Sequence, residues 1–147
     1  MLNIRKWFGG QSRPAGGHPR MSKYLIEFRF HGHTKKKIRE LRETISKNHG
    51  AQIGRRKEVP HITLVGPCRT NDGKKLIREV QSVVEKHGIV PFRLDGFGRF
   101  GDRAIYVKIA PSSELIEMRN EIVKRLGGFC SLQDHDHTPY KPTPRWS

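Results

Sequence analysis

The hydrophobic residues of this chain switch repeatedly between a period of two and a period of 3.6. In the segment YLIEFRF, residues 24–30, apolar residues alternate with Glu27 and Arg29, which predicts a half-buried strand. In residues 34–49 the apolar residues instead recur three or four positions apart, which predicts an amphipathic helix capped by Thr34. Because strand and helix patterns keep alternating in this way as far as residue 126, the sequence predicts an α+β fold.

The remaining elements follow in the order strand, helix, strand, strand, helix. They are predicted at 61–66, 73–87, 92–100, 104–110 and 113–126. Asn71 or Asp72 can cap the second helix, and Gly88 ends it. The whole order predicts two similar α+β halves, of which the second lacks its final strand.

The composition changes at both ends of this patterned region. Residues 1–20 are rich in glycine, proline and basic side chains and show no hydrophobic period, which predicts a flexible basic extension. Residues 21–130 form the predicted domain, and residues 131–147, with three prolines, are predicted to be an irregular tail.

The chain carries 29 Lys and Arg residues against 14 Asp and Glu residues, a formal net charge of +15. Such an excess favours a polyanionic partner. The sequence contains neither an apolar run of about 20 residues nor a secretory leader, so we expect a soluble cytoplasmic protein without a membrane partner. Cys68 and Cys130 are expected to be reduced thiols rather than a disulfide or metal ligands.

The strongest local signal for chemistry is the segment His61-Ile62-Thr63-Leu64. On a strand, His61 and Thr63 project from one face while Ile62 and Leu64 project from the other. An imidazole can carry a proton near neutral pH, and a hydroxyl can bind a phosphate oxygen without changing charge. His61 and Thr63 are therefore the candidate catalytic pair, although the same pattern also occurs on ordinary edge strands.

This motif stands between other segments that carry a family resemblance. Residues 23–30, a basic helix, the segment VPHITLVGP at 59–67 and DGFGRF at 95–100 follow one another in the chain. Together, over residues 21–130, they resemble the two-histidine (2H) phosphoesterase superfamily, and within it the archaeal members of the RNA 2′,3′-cyclic phosphodiesterase group, also described as 2′-5′ RNA ligases.

The resemblance implies a two-lobed fold with a pseudo-twofold axis, in which each lobe delivers one His-x-Thr or His-x-Ser motif to a shared cleft. One histidine acts as general base and the other as general acid, without metal or other cofactor, to convert a terminal 2′,3′-cyclic phosphate to a 2′-phosphate. The reverse reaction is 2′-5′ ligation. The implied partner is RNA with cyclic phosphate ends, such as tRNA fragments, and the implied state is a monomer.

The second motif is not present in the sequence. His135-Asp136-His137-Thr138-Pro139 does not match it, so the chain is expected to be truncated before the second motif. In a shifted reading frame, the codons for 142–147 can encode His-Ala-Thr-Leu-Val, which makes a frameshift one explanation and a deliberate fragment the other. The alternative function is therefore an RNA-binding, catalytically impaired homologue.

Basic residues near His61 are candidates for holding the RNA strand. Arg55, Arg56 and Lys57 are the predicted substrate-binding residues, and further basic residues occupy the first helix at Lys35, Lys36, Lys37, Arg39 and Arg42. A merely solvated basic face is the competing interpretation. Phe97, Phe100 and Tyr106 are candidates for stacking on a terminal base, against the alternative that they belong to the core.

Two other patterns resemble a metal site and a phosphate-binding loop, but neither site is predicted. His31-Gly32-His33 and His135-Asp136-His137 each lack a third metal ligand at a defined spacing, so no metal site is predicted. Asp95-Gly96-Phe97-Gly98 is not followed by a helix start, which favours a bulged strand over a phosphate-binding loop.

Overall fold

The computed structural model describes residues 2–7, 21–49, 61–100 and 104–140. The elements in chain order are β1 (Leu2–Trp7), β2 (Ser22–Arg29), α1 (Gly32–His49), β3 (His61–Thr70), α2 (Gly73–His87), β4 (Phe92–Phe100), β5 (Ala104–Pro111) and α3 (Ser113–Leu126). A short 3₁₀ turn, Asp134–Asp136, follows in the C-terminal segment.

The strands form two antiparallel sheets. One sheet has the order β1-β2-β3, and the other consists of β4 and β5. With three helices beside these sheets, the predicted α+β class is confirmed. The predicted bulge is also confirmed, because the pairing of β4 with β5 shifts register between Leu94 and Phe97 around Gly96, which has a φ of +69°.

Two predicted details of the N-terminal half are wrong. Within the range predicted to be a flexible extension, residues 2–7 form β1, which pairs with β2 and packs Leu2 and Ile4 against the core. Two alternating apolar residues are too few for a visible period, and pairing with the edge of β2 stabilises the strand. The first helix begins at Gly32 rather than after Thr34, since the Lys35 amide already donates to the His31 carbonyl at 3.3 Å.

The caps and ends of the later helices follow the sequence closely. Asp72 caps α2 by accepting a hydrogen bond from the Lys75 amide at 2.9 Å, and Gly88 ends the helix. Ser112 caps α3, where it accepts from the Leu115 amide at 3.1 Å. Short side-chain acceptors placed just before an apolar stripe therefore determine where these helices start.

The core lies between the three-stranded sheet and helices α2 and α3. These helices pack against each other, and α3 also packs against β3. The core side chains from the sheet and the two helices are almost fully buried. They include Ile26, Ile62, Leu64, Leu76, Val80, Val83, Ile122 and Leu126. Phe28 and Phe30 meet Phe92 of β4, with ring centroids 5.5 and 5.9 Å apart, so aromatic contacts join β2 to the second sheet.

No helix within the described ranges is long and apolar enough to cross a membrane.

Candidate active site

The candidate site is a block of four polar residues on two neighbouring strands. Arg29 pairs with His61 across the ladder, and Glu27 pairs with Thr63. Because side chains alternate along a strand, all four residues belong to one face of the sheet, while Ile62 and Leu64 lie in the core behind it. Side chains directly opposite each other in such a ladder have Cβ atoms about 4.5–5.5 Å apart, so the four groups are close neighbours.

Glu27 lies at the centre of this block. Its side chain is 1% exposed, and Oε1 accepts a hydrogen bond from Nε of Arg29 at 2.6 Å. Its Oε2 lies 3.8 Å from Nε2 of His61, which is an ion-pair distance when the imidazole is protonated. Within the described ranges, Oε2 has no hydrogen-bond partner. A buried carboxylate is stable only beside a compensating positive charge. Arg29 supplies that charge, and His61 adds to it when its imidazole is protonated.

Sequence reasoning placed Glu27 and Arg29 on the polar face of their strand but did not connect them with His61. The alternation in YLIEFRF shows that Glu27 and Arg29 share one face of β2. It does not show the register of β2 against β3, which includes two irregularities between Tyr24 and Glu27. A shift of one residue would have placed these side chains on the opposite face.

Among the described residues, side chains and not a continuous fourth strand bind the backbone of β3, which is the last strand of its sheet. The Tyr140 hydroxyl donates to the Thr63 carbonyl at 2.9 Å, and Nε of Arg119 donates to the Leu64 carbonyl at 3.3 Å. Burial raises the pKa of the Tyr140 phenol, so this group stays a neutral donor. The backbone at the end of the His-x-Thr segment is thereby attached to α3 and to Tyr140.

Further along β3, the C-terminal segment supplies a buried acid. Asp136 accepts hydrogen bonds from the amides of Gly66 and Gln133, at 3.3 and 3.2 Å, and lies 3.6 Å from the Arg119 guanidinium. Arg119 and Asp136 are 3% and 2% exposed. Burial lowers the pKa of Arg119, and the Asp136 carboxylate opposes that effect. The ion pair attaches residues 133–138 to both α3 and β3.

His135 of the C-terminal segment does not join His61. Nε2 of His135 lies 3.3 Å from the carbonyl oxygen of Gly66, which is five residues along β3 from His61. At a rise of about 3.3 Å per residue, this is a separation of roughly 16 Å. His135 is therefore too distant to act with His61 on one phosphate. Within the described ranges, no three His, Cys, Asp or Glu side chains are grouped so that they could hold a metal ion.

The predicted substrate-binding residues Arg55, Arg56 and Lys57 lie outside the described residues. Of the basic residues on α1, Lys36, Lys37 and Arg39 are exposed, and Lys36 lies 3.9 Å from Glu40. This helix starts three residues after Arg29, so its basic first turns follow the end of the strand that carries the polar block.

Of the aromatic candidates, the structure describes the surroundings of Phe97 and Tyr106. Phe97 is 51% exposed at the bulge of β4. Tyr106 is half-buried, and its ring covers Gly98 so closely that a side chain at position 98 would overlap it. The side chain of Phe100 lies outside the described part of the chain.

Comparison with known protein families identifies the superfamily of the chain. A model of the 2′-5′ RNA ligase superfamily matches residues 30–142, which is more than half of the chain. No curated protein and no solved structure gave a significant match. The chain belongs to the 2′-5′ RNA ligase superfamily of 2H phosphoesterases, and its function is of the phosphoesterase or RNA ligase type. The superfamily expected from the His-x-Thr segment is thereby confirmed.

Proposed function

We propose that the protein is an RNA 2′,3′-cyclic phosphodiesterase, which opens terminal cyclic phosphates to 2′-phosphates and in the reverse direction forms 2′-5′ linkages. The observation that carries this proposal is the His61–Thr63 pair on one face of β3, next to Glu27 and Arg29, in a member of the 2′-5′ RNA ligase superfamily. A proton carrier and a hydroxyl donor side by side match the needs of a phosphodiester reaction.

In the proposed reaction, water attacks the phosphorus atom and the bond from phosphorus to O3′ breaks. One proton leaves the attacking water, and one proton reaches O3′. His61 carries one of these two transfers, which is worth about 10²- to 10⁴-fold in rate for a well-placed acid or base. The Thr63 hydroxyl donates to a phosphate oxygen. No metal or other cofactor takes part in this scheme.

The rest of the RNA contributes affinity through its phosphates. Arg55, Arg56 and Lys57 precede His61 by four to six positions in the sequence. We propose that they bind phosphates of the RNA strand whose end enters the site. The exposed Lys36, Lys37 and Arg39 of α1 extend that basic surface. RNA fragments with cyclic phosphate ends, including those cut from tRNA, are the proposed partners of a monomeric protein.

One observation favours a second candidate function. His61-Ile62-Thr63 is the single His-x-Thr or His-x-Ser segment in the sequence, whereas 2H chemistry uses two. A chain with one motif can bind RNA ends through its basic surface and catalyse little. The two candidates differ in turnover, not in affinity.

The decisive experiment measures turnover and binding of a short RNA that ends in a 2′,3′-cyclic phosphate, with EDTA present. We expect the wild-type chain to produce a 2′-phosphate and His61→Ala to lose at least about 100-fold in kcat. Thr63→Val should lose about 10- to 100-fold, as expected for one hydrogen bond to a charged group. His87→Gln on α2, where His87 contacts Glu121, is the matched control and should keep full activity.

The outcomes separate the candidates clearly. RNA binding without turnover, unaffected by His61→Ala, supports the impaired homologue. Turnover that survives His61→Ala contradicts the catalytic assignment of His61. Neither binding nor turnover removes both candidates.

A further inference from the structure

Arg29 occupies a position in the polar block that the reaction described above leaves without a role. It lies directly across the ladder from His61 and two residues from Glu27 on the same strand. Its side chain is 29% exposed, whereas Glu27 is 1% exposed and His61 is 8% exposed. The guanidinium therefore lies between a buried carboxylate and solvent, beside the candidate proton carrier.

Glu27 determines how this guanidinium is oriented. The 2.6 Å contact between Oε1 and Nε directs the Nε edge of the planar group toward the buried carboxylate. A guanidinium has five N–H groups in one plane, a geometry that suits the bidentate binding of two phosphate oxygens that arginine favours. Lysine, a single rotating ammonium, does not provide this fixed geometry.

The charges in the block support the same role. A cyclic phosphodiester carries one negative charge, and a buried Glu27 carboxylate near it would repel it. Arg29 cancels that repulsion and adds an attractive donor next to His61 and Thr63. The second oxygen of Glu27, which lies 3.8 Å from His61 Nε2 and has no hydrogen-bond partner within the described ranges, keeps the imidazole on the same side of the site.

We propose that Arg29 binds the substrate phosphate beside His61 and Thr63, and that Glu27 is the positioning residue that holds Arg29 and His61 together. This inference rests on the proposed function for the identity of the phosphate, a terminal phosphate on RNA. It assigns to β2 a direct share of the site, since β2 supplies the phosphate ligand and β3 supplies the proton carrier.

The test measures binding of a nucleoside 2′-monophosphate, the end group that the reaction leaves, and of the same nucleoside without phosphate. Isothermal titration of wild type, Arg29→Lys and the double variant Glu27→Gln/Arg29→Gln provides the comparison. The double variant removes both charges, so no unpaired carboxylate is left buried to unfold the chain. Arg125→Gln is the matched control, because Arg125 is also an arginine paired with carboxylates but lies on α3.

We expect affinity for the nucleotide to fall at least about tenfold in the double variant and by a smaller factor in Arg29→Lys, which keeps the charge but loses the fork. Affinity for the bare nucleoside should not change, and Arg125→Gln should match wild type. A role for Arg29 in folding alone would lower both affinities or neither. Equal nucleotide binding by folded wild type and double variant, or no nucleotide binding by wild type, overturns the assignment.

Turnover of the cyclic phosphate RNA, measured on the same samples, keeps this inference separate from the proposed function. If wild type turns over the RNA but the Arg29 variants bind the nucleotide as well as wild type does, the role of Arg29 is wrong and the proposed enzymatic activity still holds. Nucleotide binding that depends on Arg29, without turnover, retains the phosphate site and removes the catalytic activity.

Discussion

At the scale of single residues, burial decides which groups can react. Cys68 and Cys130 are both buried and free of disulfide. Burial raises the pKa of the Cys68 thiol to about 12, and its Sγ lies 3.5 Å from the Tyr24 carbonyl. Burial also raises the pKa of Cys130. Since the thiolate is the nucleophile, both side chains are protected chemically as well as sterically.

We therefore expect neither cysteine to react with iodoacetamide in the native protein at pH 8. Both should be alkylated quickly once the chain is unfolded in guanidinium chloride, which serves as the positive control. Mass spectrometry of the labelled peptides reads out each site. Rapid native labelling of Cys68 would contradict the burial described for β3.

At the scale of elements, the most informative feature is the edge of β3. Three side chains bind the backbone of the strand that carries the candidate catalytic pair: Tyr140 at the Thr63 carbonyl, Arg119 at the Leu64 carbonyl and Asp136 at the Gly66 amide. Ser131 adds an isolated bridge to Arg69 at the far end. Helix α3 and the C-terminal segment thus stabilise the geometry of the site without belonging to it.

Arg119→Met tests this edge. The change removes the donor to the Leu64 carbonyl and leaves the Asp136 carboxylate buried without its cation, which costs about 3–5 kcal/mol in the free energy of unfolding. Arg125→Met on the same helix is the control, because its ion pairs are partly exposed and screened by solvent, so they contribute less than a buried pair. Urea denaturation measures both. Equal losses would show that the buried pair contributes no more than a surface pair.

The packing of α2 against α3 contains a cluster that depends on pH. His87 and Lys86 on α2 contact the Glu121 carboxylate on α3 at 2.8 and 3.1 Å. These hydrogen bonds, with that from His87 the largest cause, lower the pKa of Glu121 from 4.5 to about 2. A carboxyl whose folded pKa is lowered stabilises the fold above its unfolded pKa and loses that effect as pH falls toward the folded value.

Glu121→Gln should accordingly lower Tm at pH 6, and the difference from wild type should shrink as pH falls from 4.5 to about 2. Thermal unfolding at constant ionic strength measures this difference. The exposed Glu117 on the same helix provides the control substitution Glu117→Gln. A difference in Tm that stays constant down to pH 2 would contradict the role of these hydrogen bonds.

At the scale of the whole molecule, the chain carries a net charge of +15, which would attract the RNA substrate proposed above. A basic protein that neutralises several phosphates releases counterions, so its affinity falls steeply with salt. Net charge alone does not distinguish an RNA-binding surface from a basic surface that only contacts solvent. The two differ in whether basic residues near the polar block contribute more to RNA affinity than the same number of basic residues elsewhere.

Replacing Lys36, Lys37 and Arg39 on α1 by Gln should therefore reduce the salt slope of RNA binding by about one per lost phosphate contact. The matched triple variant changes Lys74, Arg78 and Lys124, which are exposed on α2 and α3, and should alter the slope less. Fluorescence anisotropy across a salt series measures both. Equal slopes for the two triple variants would favour a uniform, solvated basic surface.

Local sequence patterns predicted where most helices and strands lie, which residues cap α2, and that His61 and Thr63 share a strand with core residues Ile62 and Leu64. These features follow from periodicity and capping, which depend on residues only a few positions apart. The fold class followed from the same local patterns, whereas the superfamily followed from the family resemblance of the His-x-Thr segment and the segments around it.

Tertiary packing alone places Glu27 and Arg29 beside His61, adds β1 to the sheet, and brings Asp136 and Tyr140 to the backbone of β3. Each of these contacts joins residues at least 16 positions apart. Strand register and the docking of an irregular segment depend on the packing of the whole core, and no short-range pattern encodes them. The candidate proton carrier His61 is therefore predicted from the pattern of its own strand, whereas the tertiary fold brings Glu27 and Arg29 next to it.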